Sequence, residues 1–295
     1  MASSTIEVDA SAARALRRLA GRFVRRAARA LAAPEPSDVA VHAARKDLKR
    51  ARTVLRLLRP ALGERIYRRE NVVLRDAAHT LNAVRDAKML TETLQALRRS
   101  SPMLRGHPGV SKLSGTLQAE QASAERRLQE HAAGLARTQQ ALRQLCGRAA
   151  AWHLGRQGWS LLGPALRQIY RRGRRARPNA GQHPSDASLH EWRKQVKYLR
   201  YALEMLQPVR SRKLARLARQ AEQLTDELGE AHDLAVLARK AHRFARRHRV
   251  DLEPLLMSID RRRSRLAVKS LRSGEKLFEG TPRDWERQLS RYCRR

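Results

Sequence analysis

A short run of helix-spaced residues, His42, Arg45, Lys46, Lys49 and Arg52, returns 148 residues later as His190, Arg193, Lys194, Lys197 and Arg200. Arg56 extends the first run by a turn, whereas Glu204 stands at the matching place in the second, so the second stripe should be shorter. Arginine offers a planar fork to paired phosphate oxygens, and lysine is a compact point charge that reaches crowded ones. A histidine at the head of such a run donates from either ring nitrogen once protonated. Neighbouring cations lower its pKa while the run is empty, and a bound polyanion raises it. The added affinity is then present below the free pKa and lost as pH rises through the bound one. From His42 to Arg56 is 14 residues, about 21 Å of helix at 1.5 Å per residue, which is a track for an extended anion.

An unselected solvent-facing helix would intersperse acids, yet His42–Arg59 contains one, Asp47. Like charges at i, i+3 and i+4 repel by a few tenths of a kcal/mol per pair, so stripes of this kind favour an anionic occupant. The lysines sharpen the point. The chain has 53 Arg and 10 Lys, and four of those lysines form two matched pairs, 46 with 194 and 49 with 197. A general drift to arginine would have removed them if any cation served. The whole chain carries 63 basic against 28 acidic residues, a net +35 with a pI near 11.7. Such a field concentrates polyanions.

The elements that position these residues are themselves duplicated. Offset 148 overlays DVAVHAARKDLKRARTVLRLLRP from Asp38 on DASLHEWRKQVKYLRYALEMLQP from Asp186, ending Pro60 on Pro208. Offset 147 overlays Leu81–Leu90 on Leu228–Leu237, with Asp86 on Asp233, and places Cys146 on Cys293. Two repeats, 1–148 and 149–295, account for the chain. Each reads as helical, with no alternating strand pattern. Helices are expected over 10–33, from Ser37 or Asp38 to Arg59, over 64–99 and over 110–146. The second half repeats the scheme over 151–175, 187–207, 210–248 and 253–292. Pro34, Pro60 and Gly63 act as stops, 100–109 is a loop, and the breaker-rich 171–188 is the main basic loop. The expected fold is all-α: two four-helix bundles related by a pseudo-two-fold. Val41, Ala44, Leu48, Ala51, Leu55 and Leu58 make the core stripe beside the first cationic one, and Leu189, Trp192, Val196, Leu199, Leu203 and Leu206 beside the second.

The pattern H-x-x-R-K-x-x-K-x-x-R in each half resembles the CHAD family, the conserved-histidine α-helical domain, over nearly the whole chain. The resemblance implies two four-helix bundles, a basic central groove, binding of inorganic polyphosphate, and association with polyphosphate granules. The family's Leu-Gly-x-x-Arg-Asp element is matched by Leu81–Asp86, with Asn82 for the glycine, and by Leu228–Asp233, with His232 for the arginine. This brings Arg85 in as a secondary candidate, and Asp86 and Asp233 as groups that orient cations. Arg212, Arg216 and Arg219 share one face of the following helix, and Arg65, Arg68 and Arg69 occupy the corresponding end of the first repeat; they complete the secondary set.

Catalysis is not expected. There is no Glu-x-Glu-x-Lys strand motif, no Walker loop and no Glu-x-x-His pair, and a salt-bridged turn explains His232-Asp233 as well as a metal would. No cofactor or metal is anticipated. Two cysteines fit a reducing compartment, MASSTIEVDA has no signal-peptide character, and no apolar run spans a bilayer, so a cytoplasmic location is expected. The competing partner is RNA or another nucleic acid, for which the aromatics form no stacking series at basic sites. The exposed C-terminal arginines 261, 262, 263 and 265 serve as a reference for diffuse charge.

Overall fold

The computed structural model describes residues 12–33, 36–155, 158–182, 185–206 and 211–293. Among the described residues there are eleven helices and no strand: α1 (Ala12–Ala30), α2 (Asp38–Thr80), α3 (Asn82–Ser100), α4 (Pro102–Arg105), α5 (Pro108–Glu130), α6 (Ala132–Ala150), α7 (Gly158–Gln182), α8 (Asp186–Leu206), α9 (Arg212–His248), α10 (Glu253–Leu277) and α11 (Pro282–Cys293). None of them is long and apolar enough to cross a membrane. Pro34 and Pro208 lie outside the described residues.

Local chemistry sets the helix ends. Ser37 caps α2 by accepting from the Ala40 amide at 3.3 Å, and Ser211 caps α9 through Leu214 at 3.4 Å. Pro60 is accommodated inside α2, and the stop falls at Gly63, whose φ of 73° and ψ of 166° suit only glycine. The chain reverses there. Arg45 donates to the Ala78 carbonyl (3.3 Å) and to Asn82, Arg52 to Asn71 (3.1 Å), and Arg59 to Glu64 (2.9 Å), an antiparallel register that closes onto the glycine. In the second half α8 and α9 pair in the same sense, Arg200 with Asp226 and Arg193 with Asp233.

Several expected boundaries move. The helix over 64–99 breaks at Leu81, whose amide turns back to the Ala78 and His79 carbonyls. The helix over 110–146 breaks at His131, and 253–292 divides between α10 and α11. Most of the basic stretch 171–188 is not a loop: α7 continues to Gln182. Gly173 is there for room, since a Cβ would sit 2.6 Å from the Phe278 ring. Arginine and alanine, good helix formers, carry the rest.

The apolar interior falls into two clusters. One gathers Phe23, Leu55 and Leu145 with Tyr170, Trp192 and Phe278. The other gathers Leu94, Leu104 and Leu113 with Leu237, Phe244 and Ile259. Each draws on both halves of the sequence. Helices α3 and α9 pass from one cluster to the other, leaving the first after Val84 and Leu228 and entering the second at Leu94 and Ala231. Charge is also buried where it ties helices together. Glu70, fully buried on α2, takes both oxygens' worth of Arg148 on α6 at 2.9 and 2.7 Å. Asp47, the lone acid beside the first cationic run, is buried against Arg26 of α1 at 3.0 Å.

Candidate functional site

The junction between the two apolar clusters is polar. There α2 packs on α3 and α8, and α9 packs on α8 and α3, so the four close a ring. Inside it lies a cleft of about 720 Å³. The first turns of α2 supply His42, Arg45, Lys46 and Lys49; α8 supplies Arg193, Lys197 and Arg200; α3 supplies Arg85, and α10 Arg262. Five carboxylates share the walls: Asp86, Glu92, Asp226, Glu230 and Asp233. Eight Arg or Lys side chains thus face five acids, a net positive surface that is far from uniformly cationic.

The two lysines at the floor come from different repeats and sense each other. Burial, then Arg45, Arg193 and Arg85, pushes Lys49 down to about 8. Burial, then Arg193 and Lys49, pushes Lys197 down to about 6, against the pull of Asp233. Among the described residues neither ammonium is paired with a carboxylate. A desolvated cation without a partner is costly, and its pKa falls because shedding the proton relieves the cost. A bound polyanion would reverse that shift. Burial likewise lowers the affinity of Arg45 and Arg193 for their protons, opposed by Asp86 and Asp233 respectively. Asp233 itself is raised by burial, with Arg193 pulling the other way. Arg193 Nε is buried and has no hydrogen-bond partner, so its fork toward the cleft is only loosely held, with Asp233 at 3.9 Å.

The histidines differ. His42 lines the cleft, and burial, then Arg85, Lys49 and Lys46, lowers its pKa. His190 stands behind the wall: its Nδ1 lies 3.3 Å from Nδ1 of His232, rings tilted at 4.5 Å between centroids. His232, which stands where the resembled motif has arginine, is the one in the cleft. Burial, then Arg193, His190 and Arg239, takes it down to about 4. At the other departure from that motif, Asn82 accepts from Arg45 and so holds the guanidinium at the rim.

Not every expected residue reaches the cleft. Arg52 is turned back to Asn71 by the reversal at Gly63. Arg56 lies flat on Tyr198, 3.9 Å from the ring centroid, in a separate small hollow beside α7. Lys194 pairs with Glu191 on its own helix. The first track therefore shortens to His42–Lys49, about 10 Å at 1.5 Å per residue. In the second repeat Arg200 lines the cleft but is held by Glu204 (2.8 Å), Asp226 (3.0 Å) and Glu222. Of the secondary candidates only Arg85 is in the cleft, 3.4 Å from Glu92. Arg68 pairs with Glu64 at 2.6 Å and Arg69 with Glu70 at 2.6 Å, while Arg65, Arg212, Arg216 and Arg219 are exposed elsewhere. Arg262, grouped in sequence with the reference arginines, lines the cleft and pairs with Glu230, and Arg263 pairs with Asp186. The acids of α9 were readable in principle: in an antiparallel α8–α9 hairpin, Arg200 must face the turn that holds Glu222 and Asp226.

A family model described as the CHAD domain matches residues 14–242. Among solved structures, the CHAD domain from the plant Ricinus communis matches with a TM-score of 0.61 at 19% identity, covering 94% of either chain, which is a likeness of fold. A search of curated proteins finds no match.

Proposed function

The chain belongs to the CHAD domain family, a family associated with polyphosphate binding, and on that footing we propose that its cleft binds inorganic polyphosphate. The observation that carries this reading is the pair Lys49 and Lys197, one from each repeat, desolvated at the floor of one cleft, neither salt-bridged to a carboxylate among the described residues, and with their proton affinity lowered despite the pull of Asp233. Such a pair stores an unfavourable free energy that a chain of phosphates releases. Arg45 and Arg193 offer forks beside it, and His42 and His232 become further donors as a bound polyanion raises the proton affinity that burial and neighbouring cations have lowered. Four of the five wall carboxylates, Glu92, Asp226, Glu230 and Asp233, each hold an arginine at the cleft wall.

We propose binding without catalysis, with no metal or cofactor, in the cytoplasm and on polyphosphate granules. The two sequence repeats are proposed to be structural repeats, 1–148 and 149–295, facing each other across a basic groove. In support, α2 and α8 begin 148 residues apart and α5 and α10 end 147 apart. The pairings α1 with α2 and α6, and α3 with α5, recur as α7 with α8 and α11, and α9 with α10.

The test is competition between long-chain polyphosphate and single-stranded RNA, matched in phosphate, at about 0.2 M salt. Polyphosphate is expected to displace RNA. RNA displacing polyphosphate would assign the surface to nucleic acid.

A further inference from the structure

A second cavity of about 660 Å³ lies apart from the cleft, between α7 and α11. Its lining holds one aromatic and four arginines: Trp159 and Arg167 from α7, and Arg283, Arg287 and Arg291 from α11, with Glu286 and Ser290 between them. The α11 arginines recur every fourth residue, so they form one row about 12 Å long. Glu286 salt-bridges Arg167 at 3.1 Å, and Arg287 is held by Asp284. Among the described residues Arg283 and Arg291 have no carboxylate partner. Trp159 is half-buried, whereas Trp152, Trp192 and Trp285 are buried. Gly163 makes the arrangement possible, because a Cβ there would lie 2.5 Å from Glu286 Oε1 and 2.7 Å from Trp159 Nε1.

This cluster is not inherited with the repeat. Matching α1 to α7 by their buried positions (Phe23 with Ile169, Val24 with Tyr170) and α6 to α11 by their cysteines puts Ala13, Gly21, Ala136, Gln140 and Gln144 where Trp159, Arg167, Arg283, Arg287 and Arg291 stand. General arginine enrichment would have filled both copies alike. One half-buried indole at the end of an arginine row suits a ligand with one aromatic ring and a short phosphate tail. Recognition of a nucleic-acid strand calls for several stacking faces.

We propose that the α7–α11 cavity binds a free nucleotide, a purine nucleoside di- or triphosphate, with the base against Trp159 and the phosphates along Arg283, Arg287 and Arg291. The site is independent of the cleft. Calorimetric titration of ATP, tripolyphosphate and an adenylate decamer into the full-length Lys49→Met/Lys197→Met variant weakens the cleft's share of the binding, because its two floor lysines are gone, and the variants at Trp159 and at Arg283 and Arg291 assign the remainder to this cavity. One ATP per chain is expected, with tripolyphosphate at least tenfold weaker, about 1.4 kcal/mol. Trp159→Leu should weaken ATP at least tenfold and leave tripolyphosphate unchanged. Arg283→Gln/Arg291→Gln, at exposed residues without carboxylate partners, should weaken both ligands, which keeps the test open if the tryptophan variant folds poorly. Tripolyphosphate matching ATP, an unaffected Trp159→Leu variant, or a decamer bound where ATP is not would each overturn the assignment.

Discussion

Replacing Lys49 and Lys197 together by methionine removes the two floor charges while keeping their length and apolar stems. Four cleft cations have no carboxylate paired with them among the described residues: Arg45, Lys46, Lys49 and Lys197. Each phosphate contact to a flexible single chain contributes about 0.7 to the slope of log affinity against log salt. Four contacts give a slope of about −2.8, which is a loss of about 50-fold between 0.05 and 0.2 M salt. The double variant keeps two, for a slope of about −1.4 and a loss of about sevenfold. The titration belongs at pH 5.5, below the values of about 8 and about 6 at which these lysines shed their protons, so that both carry charge before binding. Anisotropy of end-labelled polyphosphate at three salt concentrations measures the slope directly. The reference is Arg126→Gln/Arg127→Gln, two exposed charges on α5 outside the cleft. If the lysine and arginine variants lose the same slope, the protein holds polyphosphate by diffuse charge and the cleft argument fails.

Protonation gives a second check. In the empty protein Lys197 titrates near 6 and Lys49 near 8, both far below an ordinary lysine, and a bound polyanion raises both. Affinity is therefore full below about pH 6, declines as pH rises through that value, and declines more steeply past 8. At pH 7 binding should take up about one proton, mostly onto Lys197, which calorimetry in buffers of differing ionisation enthalpy would measure; zero uptake contradicts the placement of these lysines. By the same linkage the unfolded chain holds more protons than the empty native state between about 6 and 10, so unliganded stability should rise over that range. Glu70→Gln should cost about 1.5–3 kcal/mol in urea unfolding, because it removes the charge from two hydrogen bonds to a partly exposed Arg148 without emptying space; a loss under about 0.5 kcal/mol would mean that bridge is dispensable.

Much of the site could be read from residue types alone, because a repeated helical pattern fixes which side chains share a face. That is how His42, Arg45, Lys46 and Lys49, the counterparts Arg193 and Lys197, and Arg200 were picked out as candidates, and how Ser37 and Gly63 marked a start and a stop. A helical wheel says nothing about what stands opposite. Arg52 and Arg56 have the right phase, yet Asn71 and Tyr198 on facing elements capture them. Arg200 has the right phase too, and three carboxylates surround it. His190 yields its place to His232 because the α8–α9 hairpin sets the two rings against each other, with their Nδ1 atoms 3.3 Å apart. Breaker counts misjudged 171–188, where Gly173 admits Phe278 instead of ending the helix.

The sharing of both apolar clusters between the halves has a developmental and an evolutionary side. A ribosome that has released only residues up to 148 has made neither interior complete, so consolidation must wait for α8, α9 and α10 to emerge. Any half-length forerunner would have met the same shortage and could have buried its leucines only by trading them with a twin.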